Sequence, residues 1–488
     1  MDLPAGSPLT REDWEQTPLS VQAVLIMLRQ ENQTFKQQVF ELQKQVNVLQ
    51  SEVERLRERT GKNSSNSSKP PSSDAPQKRS YPKRESSGRK RGGQRGHAGK
   101  GRKLKPPEEV HHTIVCKPAN CQKCGVNLVG EDPQPMRHQV SELPRVKPEV
   151  IEYQLHRLTC QECGYENRAE WPADMPKGSF GERMQALIGY LGGRFGMSQR
   201  DMAEMMETVF HVDISLGSIP AQEQQVSQAL EKSVEAAYEY VQQQPAVNLD
   251  ETGWHELVKN FWLWVCTTPS VTVFRLANTR GAKGAEHLLG ENYTGIVGSD
   301  RYSAYNWLDP LQRQACWAHL KRDFQAFVDR GGESKTVGRL LLQEIKAFFS
   351  LWHRFRNGLL SRLDFQTAML PFRKAIGCLL QIGTYVKHRE TRKTCHNILK
   401  IETALWTFVD QEGIEPTNNA AERALRRGVI WRRRSFGTQS ECGSRFVERI
   451  LTVVTTCRQQ NRDVLDFLTD ACRARTMGIT APSLLPGS

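Results

Sequence analysis

Asp250, Asp300 and Glu422 are the residues of this chain whose types and settings best suit chemistry. Asp250 closes the apolar run of "AVNLDETGWH", and Asp300 closes that of "TGIVGSDRYSAYN". Glu422 stands in "EPTNNAAERALRRG", in the first turn of an expected helix. Plainer readings exist for each. An aspartate at a strand end often serves only to bond nearby backbone amides. Asn419 to Glu422 has capping-box spacing, and Arg426 lies one turn on as an ion-pair partner. These do not exclude a second use. If the two strands lie side by side, Asp250 and Asp300 meet at one sheet edge, and close carboxylates call for cations between them. Mg(II) or Mn(II), hard and oxygen-seeking, is the natural choice. A glutamate on a helix laid across the sheet completes the set. Three carboxylates and two ions roughly 3.5–4 Å apart suit phosphoryl transfer: one ion activates water or a 3′-hydroxyl, the other stabilises the leaving oxygen. Asp250 and Asp300 are then direct ligands, and Glu422 completes one metal site and orients its water.

The surrounding sequence supplies elements to position such a set. "AVNLDE", "FWLWVCTT" and "VTVFRLA" are short runs rich in Val, Phe, Trp and Leu, separated by turn-length gaps, and read as strands. A helix, "AKGAEHLLG", precedes the run that ends at Asp300. Between Asp300 and Glu422, "VGRLLLQEIKAFFSLWHRF", "MLPFRKAIGCLLQIGTY" and "NILKIETALWTFVD" read as helices. Upstream, from Gly181 to Gln244, the pattern is helical. A helix from "SQRDMAEMM", a turn, and a second helix opened by Ser218 and Pro220 suggest a helix-turn-helix unit that reads DNA bases, though a plain three-helix packing unit has the same pattern.

A second set of metal ligands lies further upstream. Cys121-x-x-Cys124 and Cys160-x-x-Cys163, in "CQKCG" and "CQECG", are separated by 35 residues and offer four thiolates to one tetrahedral, structural Zn(II). The partly alternating "PEVIEYQLHRLTC" would provide strands of a zinc ribbon. Cys116, His111, His112, His138 and His156 are left as non-ligands. With 12 cysteines and no signal-peptide pattern, ligation is favoured over disulfides, as in a cytoplasmic protein. No apolar run approaches membrane length, so no membrane partner is expected.

The net charge of +13 is concentrated rather than spread. Lys78, Arg79, Lys83, Arg84, Arg89, Lys90, Arg91, Arg95, Lys100, Arg102, Lys103 and Lys105 face one acid, Glu85, in a segment with almost no large apolar residues. Such a block suits a polyanion, most often nucleic acid. It follows a linker, "TGKNSSNSSKPPSSDAP", too polar to bury a core. Before that, Leu25, Asn32, Val39, Val46 and Val53 alternate with Val21, Leu28, Phe35, Leu42, Leu49 and Leu56 in an a/d heptad. β-Branched residues at a and leucine at d favour a two-stranded parallel coil, so residues 21–56 are expected to form a homodimer.

"LDETGW", "SDRYSAYN", "CWAHLKRDF" and "NNAAERALR", with the "GKNSSNSSKPPSSD" linker and the paired Cys-x-x-Cys knuckles, resemble the large transposase of the sixty-six family of insertion sequences, a bacterial group of DDE-type enzymes. The likeness covers most of the chain and keeps the family's motif order. It implies an RNase H-like α/β fold with its acidic triad on Asp250, Asp300 and Glu422, two Mg(II) or Mn(II) per active site, and cutting and joining of double-stranded DNA at an element's ends and target. It further implies companion insertion-sequence proteins and a cytoplasmic, nucleoid-associated setting. Cys316-x-x-His319 resembles a motif placed near the active site in related transposases, with Lys321 and Arg322 as phosphate contacts; Arg432, Arg433 and Arg434 could hold DNA phosphates or form a solvated face. The knuckles depart from the family in lacking proline after the first cysteine, which changes a turn but not the ligands.

The expected organisation is multidomain: a tail (1–18), a coiled-coil dimerisation helix (19–60), a flexible basic linker (61–108), a zinc ribbon (109–175), a helical helix-turn-helix-like DNA-binding domain (176–244), a catalytic core in two parts (245–330 and 413–475, the second with C-terminal helices) split by an all-helical insertion (331–412), and a tail (476–488). Two other functions fit parts of the pattern. One is a non-catalytic zinc-containing DNA-binding regulator, against which the intact carboxylates argue; the other is a metal-dependent nuclease that does not join strands.

Overall fold

A computed structural model describes residues 10–63, 65–67, 103–172, 175 and 178–487. The basic residues from Lys78 to Arg102 lie outside the described residues, whereas Lys103 and Lys105 are within them. Along the chain run α1 (Arg11–Glu15), α2 (Leu19–Gly61), β1 (Arg157–Thr159), β2 (Glu166–Arg168), α3 (Glu182–Tyr190), α4 (Gln199–Phe210), α5 (Ser218–Gln242), β3 (Ala246–Glu256), β4 (Lys259–Thr267), β5 (Thr272–Ala277), α6 (Ala282–Leu289), β6 (Ile296–Ser299), β7 (Arg313–Ala315), α7 (Trp317–Arg330), α8 (Gly332–Arg356), α9 (Arg362–Gly383), α10 (Arg389–Leu399), α11 (Thr407–Asp410), α12 (Asn419–Ser435), α13 (Glu441–Gln459) and α14 (Val464–Met477). No helix among the described residues is long and apolar enough to cross a membrane. The chain divides into two compact units, one holding α1, α2 and α7–α10, the other holding the sheets and the remaining helices.

In the helical unit, α2 is a single helix of 43 residues, about 65 Å long at 1.5 Å per residue. Its heptad residues Val21, Leu25, Leu28, Phe35, Val39, Leu42, Val46, Leu49, Val53 and Leu56 are all exposed, so the apolar seam read from the sequence runs along the helix surface. The helical hairpin α7–α8 turns at Gly331 and Gly332, both at positive φ. It closes tightly because Gly338 lies against α7: a Cβ there would stand 2.7 Å from the Phe324 carbonyl oxygen. Leu320, Phe324 and Phe327 on α7 and Val337, Leu341 and Phe348 on α8 are buried. This buried face makes α7 part of the helical unit, whose second segment starts at Trp317, whereas the helical insertion was expected from residue 331. The other end also differs. "NILKIETALWTFVD" is not one helix: α10 stops at Leu399, and a 3-10 turn (Thr403–Leu405) and α11 belong to the sheet unit.

The larger sheet has the order β5-β4-β3-β6-β7, with β5, β4 and β3 antiparallel and β6 and β7 parallel to β3. This mixed sheet flanked by helices is consistent with an RNase H-like core. Cross-strand partners share a face, so the register of β3 on β4 separates two sides. Leu249 and Glu251 pair with Cys266 and Trp264 on a face packed with α5 and α6, whereas Asp250 pairs with Val265 on the face packed with Ala421 and Leu425 of α12. Both sheet edges are closed by side chains, which removes the exposed ladder that an open edge presents. On β5 the amides of Thr272, Phe274 and Leu276 donate to Thr456, Thr452 and Glu448, spaced every four residues along α13, at 3.0, 3.0 and 2.6 Å. On β7, Thr407 Oγ1 donates to the Arg313 carbonyl (2.6 Å) and the Phe408 amide donates to Gln314 Oε1 (2.7 Å). That edge closure is why residues 403–410 leave the helical unit.

The helices before the sheet differ from a free helix-turn-helix. Ser198 caps α4, accepting from the Asp201 amide, but residues 211–217 intervene before α5, which then runs for 25 residues. From Val226 onward α5 buries Leu230, Val234, Ala237 and Val241 in the core under the sheet. The expected recognition helix is thus mainly a structural helix of the catalytic unit. In the ribbon region the expected strands reduce to the three-residue hairpin of β1 and β2.

Candidate metal-dependent active site

The parallel register of β3 and β6 aligns Asn248 with Gly298, which brings Asp250 level with Asp300 just beyond the end of β6. α12 crosses the same face of β3 and carries Glu422 in its first turn. The three sequence-selected carboxylates are therefore assembled by one sheet register and one helix packing. Burial pushes the Asp250 carboxyl well above the usual carboxylate range, and the nearby charges of Glu251, Asp300 and Glu422 push it the same way. A cation between these oxygens would reverse that cost, so the donor set fits hard divalent ions.

The helix start differs from the capping-box alternative. Asn418, not Asn419, is the N-cap, which places Glu422 one position beyond the capping-box glutamate site. Asn418 does not cap with its side chain. Its Nδ2 donates instead to the Leu249 carbonyl (2.6 Å), next to Asp250, while its amide donates to Cys316 Sγ (3.2 Å). Asn418 is 1% exposed, and its enclosed Oδ1 has no hydrogen-bond partner among the described residues. Cys316 is itself fixed, its amide donating to the Ser299 carbonyl (2.9 Å) at the end of β6. The buried cysteine thus ties the Asp300 strand to the segment leading into the Glu422 helix. His319, Lys321 and Arg322 lie on α7, in the helical unit.

Asp300 is held through its backbone. The buried Arg313 donates to the Asp300 carbonyl (2.6 Å), to Ser299 Oγ (3.2 Å) and to the Tyr305 carbonyl (3.3 Å). The Asp300 carboxylate accepts from the Tyr302 amide (2.8 Å), an Asx turn that sets its orientation. On the opposite face of β3, Glu251 is buried and accepts from Tyr305 Oη (2.6 Å) and Arg280 Nε (3.0 Å). Arg280 also lies 3.9 Å over the Tyr302 ring. Burial and the Asp300 charge raise the Glu251 pKa; the bonds from Tyr305 and Arg280 oppose this.

Glu251, Arg280, Tyr305, Arg313 and Asn418 were not selected from the sequence as site residues. A signal existed only for Glu251. It shares strand parity with Val247 and Leu249, so an inward-facing acid needing partners follows from alternation alone. The other four depend on contacts between distant segments. Of the α12 arginines, Arg432 donates to Thr252 Oγ1 (3.1 Å) and the Gly253 carbonyl, and Arg434 donates to the Phe195 carbonyl (2.9 Å), so both fasten the helix; Arg433 is exposed.

The cysteine knuckles have matching local geometry. The Cys121 amide donates to Val126 and the Gly125 amide to Cys121; the Cys160 amide donates to Tyr165 and the Gly164 amide to Cys160, all within 2.8–3.0 Å. Gly125 and Gly164 adopt the positive φ that each turn needs. Backbone donors at Lys123 and Cys124, and at Cys163 and Glu162, pull the Cys121 and Cys160 thiols down, which favours the ligating thiolate. Among the described residues no three of the four sulfurs lie within 4.8 Å of one another: the structure forms the pairs but does not gather them. Lys105 pairs with Glu109 (2.8 Å) at the surface.

A family model described as the IS66 family of transposases matches residues 177–445, and one for a family of unknown function, DUF6444, matches residues 19–103. Two proteins of Sinorhizobium fredii (strain NBRC 101917 / NGR234), each described as uncharacterized, are similar. One, y4qI, is 27% identical over 251 residues, 46% of this chain and 45% of that protein. The other, y4hP, is 24% identical over 401 residues, 74% of this chain and 71% of that protein. The chain therefore spans less than half the length of the first relative.

Proposed function

The chain belongs to the IS66 family of transposases, and we propose that it binds the inverted ends of an insertion sequence, cuts the DNA there and joins the freed ends to a target. Membership makes it a DDE-type enzyme of DNA transposition acting by phosphoryl transfer. The observation that supports the site assignment is the parallel register of β3 on β6, which sets Asp250 level with Asp300, together with the packing of the Glu422 helix α12 on the same face. Asp250, Asp300 and Glu422 would hold the divalent ions that enzymes of this class use; when bound, these supply the charge that activates the attacking oxygen and stabilises the leaving one.

The chain's own groups set up that exchange. Asn418 fixes the start of the Glu422 helix to the Asp250 strand, and Arg313 with the Tyr302 amide fixes Asp300. Preorganisation of this kind is what an in-line displacement requires, since little of the rate comes from side-chain acid-base work. The reading extends to the other regions. Cys121, Cys124, Cys160 and Cys163 hold one structural Zn(II), the exposed seam of α2 pairs with a second copy of the chain, and Lys78 to Lys105 hold DNA backbone.

The test is DNA cleavage and joining with Mg(II) or Mn(II), on a substrate carrying the inverted sequences that flank the gene, comparing wild type with Glu422→Gln. Cuts at the ends with joined products, both lost in the variant, are expected. Cleavage without joining would identify a nuclease, and equal activity in the variant would remove Glu422 from the site.

A further inference from the structure

We infer that Glu251 is a positioning residue for the proposed metal site: from the opposite face of β3 it holds Tyr305 and Arg280, and through them the turn that orients the Asp300 carboxylate. The inference rests on the reading of Asp300 as a metal ligand.

An acid at this position does not follow from the needs of the core. Glu251 is 8% exposed on a face that otherwise carries Val247, Leu249, Trp264 and Cys266. Well-packed apolar residues in place of a buried ion pair are often neutral or stabilising, so packing alone does not require a carboxylate. What the carboxylate supplies is two acceptor oxygens that face different partners. Oε2 accepts from Tyr305 Oη (2.6 Å), and Oε1 accepts from Arg280 Nε (3.0 Å), with Arg280 Nη2 also 3.0 Å away.

Each partner leads to Asp300. The Tyr305 ring stands edge-on to Trp264, the cross-strand neighbour of Glu251, with 6.2 Å between centroids. The Tyr305 carbonyl accepts from Arg313, which also donates to the Asp300 carbonyl. On the other arm, Arg280 lies 3.9 Å over the Tyr302 ring, and the Tyr302 amide is the donor to the Asp300 carboxylate (2.8 Å). Trp264 Nε1 donates to the Thr279 carbonyl (3.1 Å), which fixes the residue before Arg280. The turn after Asp300 is thus gripped at Tyr302 and at Tyr305, and both grips end on one carboxylate. Asp250 is the preceding residue of the same strand. β3 therefore presents one proposed metal ligand on one face and the anchor of another on the opposite face. Removing the groups that orient a metal ligand costs about 10- to 100-fold in affinity.

The experiment uses the full-length chain with two readouts, neither of which is strand cleavage. Amide hydrogen exchange is followed in the metal-free protein on the segment 299–306, and Mn(II) affinity is measured by electron paramagnetic resonance. Glu251→Leu, Glu251→Gln and Tyr305→Phe are compared with wild type, and Asp300→Asn serves as the reference for a lost ligand. Glu251→Leu and Tyr305→Phe are expected to speed exchange in that segment alone and to weaken Mn(II) binding by about 10- to 100-fold. Glu251→Gln, which keeps an acceptor for Tyr305, is expected to fall between wild type and Glu251→Leu. Adding Tyr305→Phe to Glu251→Leu should cost nothing further, because the two act through one contact. Wild-type affinity in Glu251→Leu and Tyr305→Phe, with affinity lost in Asp300→Asn, would overturn the positioning role. Weaker binding accompanied by faster exchange across the whole sheet would also overturn it, since that is the mark of a purely structural residue. Wild-type affinity in Asp300→Asn would instead remove Asp300 from the metal site, and the inference with it.

Discussion

The carboxylate set on the large sheet and the cysteine set on the ribbon, the two metal sites proposed for this chain, are built in opposite ways. Asp250 is buried among like charges, so the fold carries a cost that an ion would remove. The cysteines sit in two knuckles whose backbone donors already favour thiolate, without burial or long-range contacts. On the proposed reading, one site is assembled by tertiary structure and would be completed by its ion. The other is formed locally in halves, which an ion would have to draw together. Metal removal should accordingly loosen the ribbon while leaving the sheet folded.

The largest effect is expected at the ribbon. Structural Zn(II) binding in small finger domains is worth about 10–16 kcal/mol. Cys160→Ser should therefore abolish retention of about one Zn(II) per chain, measured by atomic absorption, and expose residues 109–175 to protease. Full zinc retention would contradict a site that includes Cys160.

Asp250→Asn should reduce strand joining by about 1000-fold or more, as several kcal/mol of charge stabilisation are lost. The same change should stabilise the metal-free fold. The Asp250 pKa is raised on folding, so its ionisation destabilises the native state as pH climbs above 3.8. The melting temperature of the variant should exceed that of wild type at neutral pH, and the two should converge below that value. A destabilised variant at neutral pH would mean the carboxylate has a structural partner.

How far each site was legible follows from the same difference. Cys-x-x-Cys followed by glycine is a local pattern, and both turns adopt the same backbone geometry. The strands carrying Asp250 and leading to Asp300 were legible from their apolar runs, although β3 does not close at Asp250 but runs on to Glu256, and the parallel register then aligns the two acids. Asn418 was not legible. Its neighbour Asn419 carried the capping-box spacing, and only the contact with Leu249, 169 residues away in sequence, identifies the residue that bonds to the strand. The helical character of α5 was legible, whereas its place beneath the sheet was not, because burial against distant strands rather than turn chemistry decides its role.

A smaller effect tests the helical layer beside the sheet. Burial raises the Glu223 pKa from 4.5 to about 7. Its ionisation therefore costs stability as pH rises from the unfolded value through the folded one. Glu223→Gln should match wild type in acid and exceed it by up to about 3 kcal/mol above neutrality, read from urea unfolding at a series of pH values. Parallel pH profiles would show that the carboxylate is solvated. Smaller still, Asn418→Ala should lower joining by about 10- to 100-fold through loosened support of the carboxylates. Unaltered joining would remove Asn418 from any positioning role.

The most direct measurement is Mn(II) binding by electron paramagnetic resonance, with wild type compared against Asp250→Asn and Glu422→Gln at neutral pH. If Asp250, Asp300 and Glu422 form the metal site, wild type binds Mn(II) and both variants lose that binding while staying folded. Equal Mn(II) binding in all three proteins would contradict the assignment of the active site.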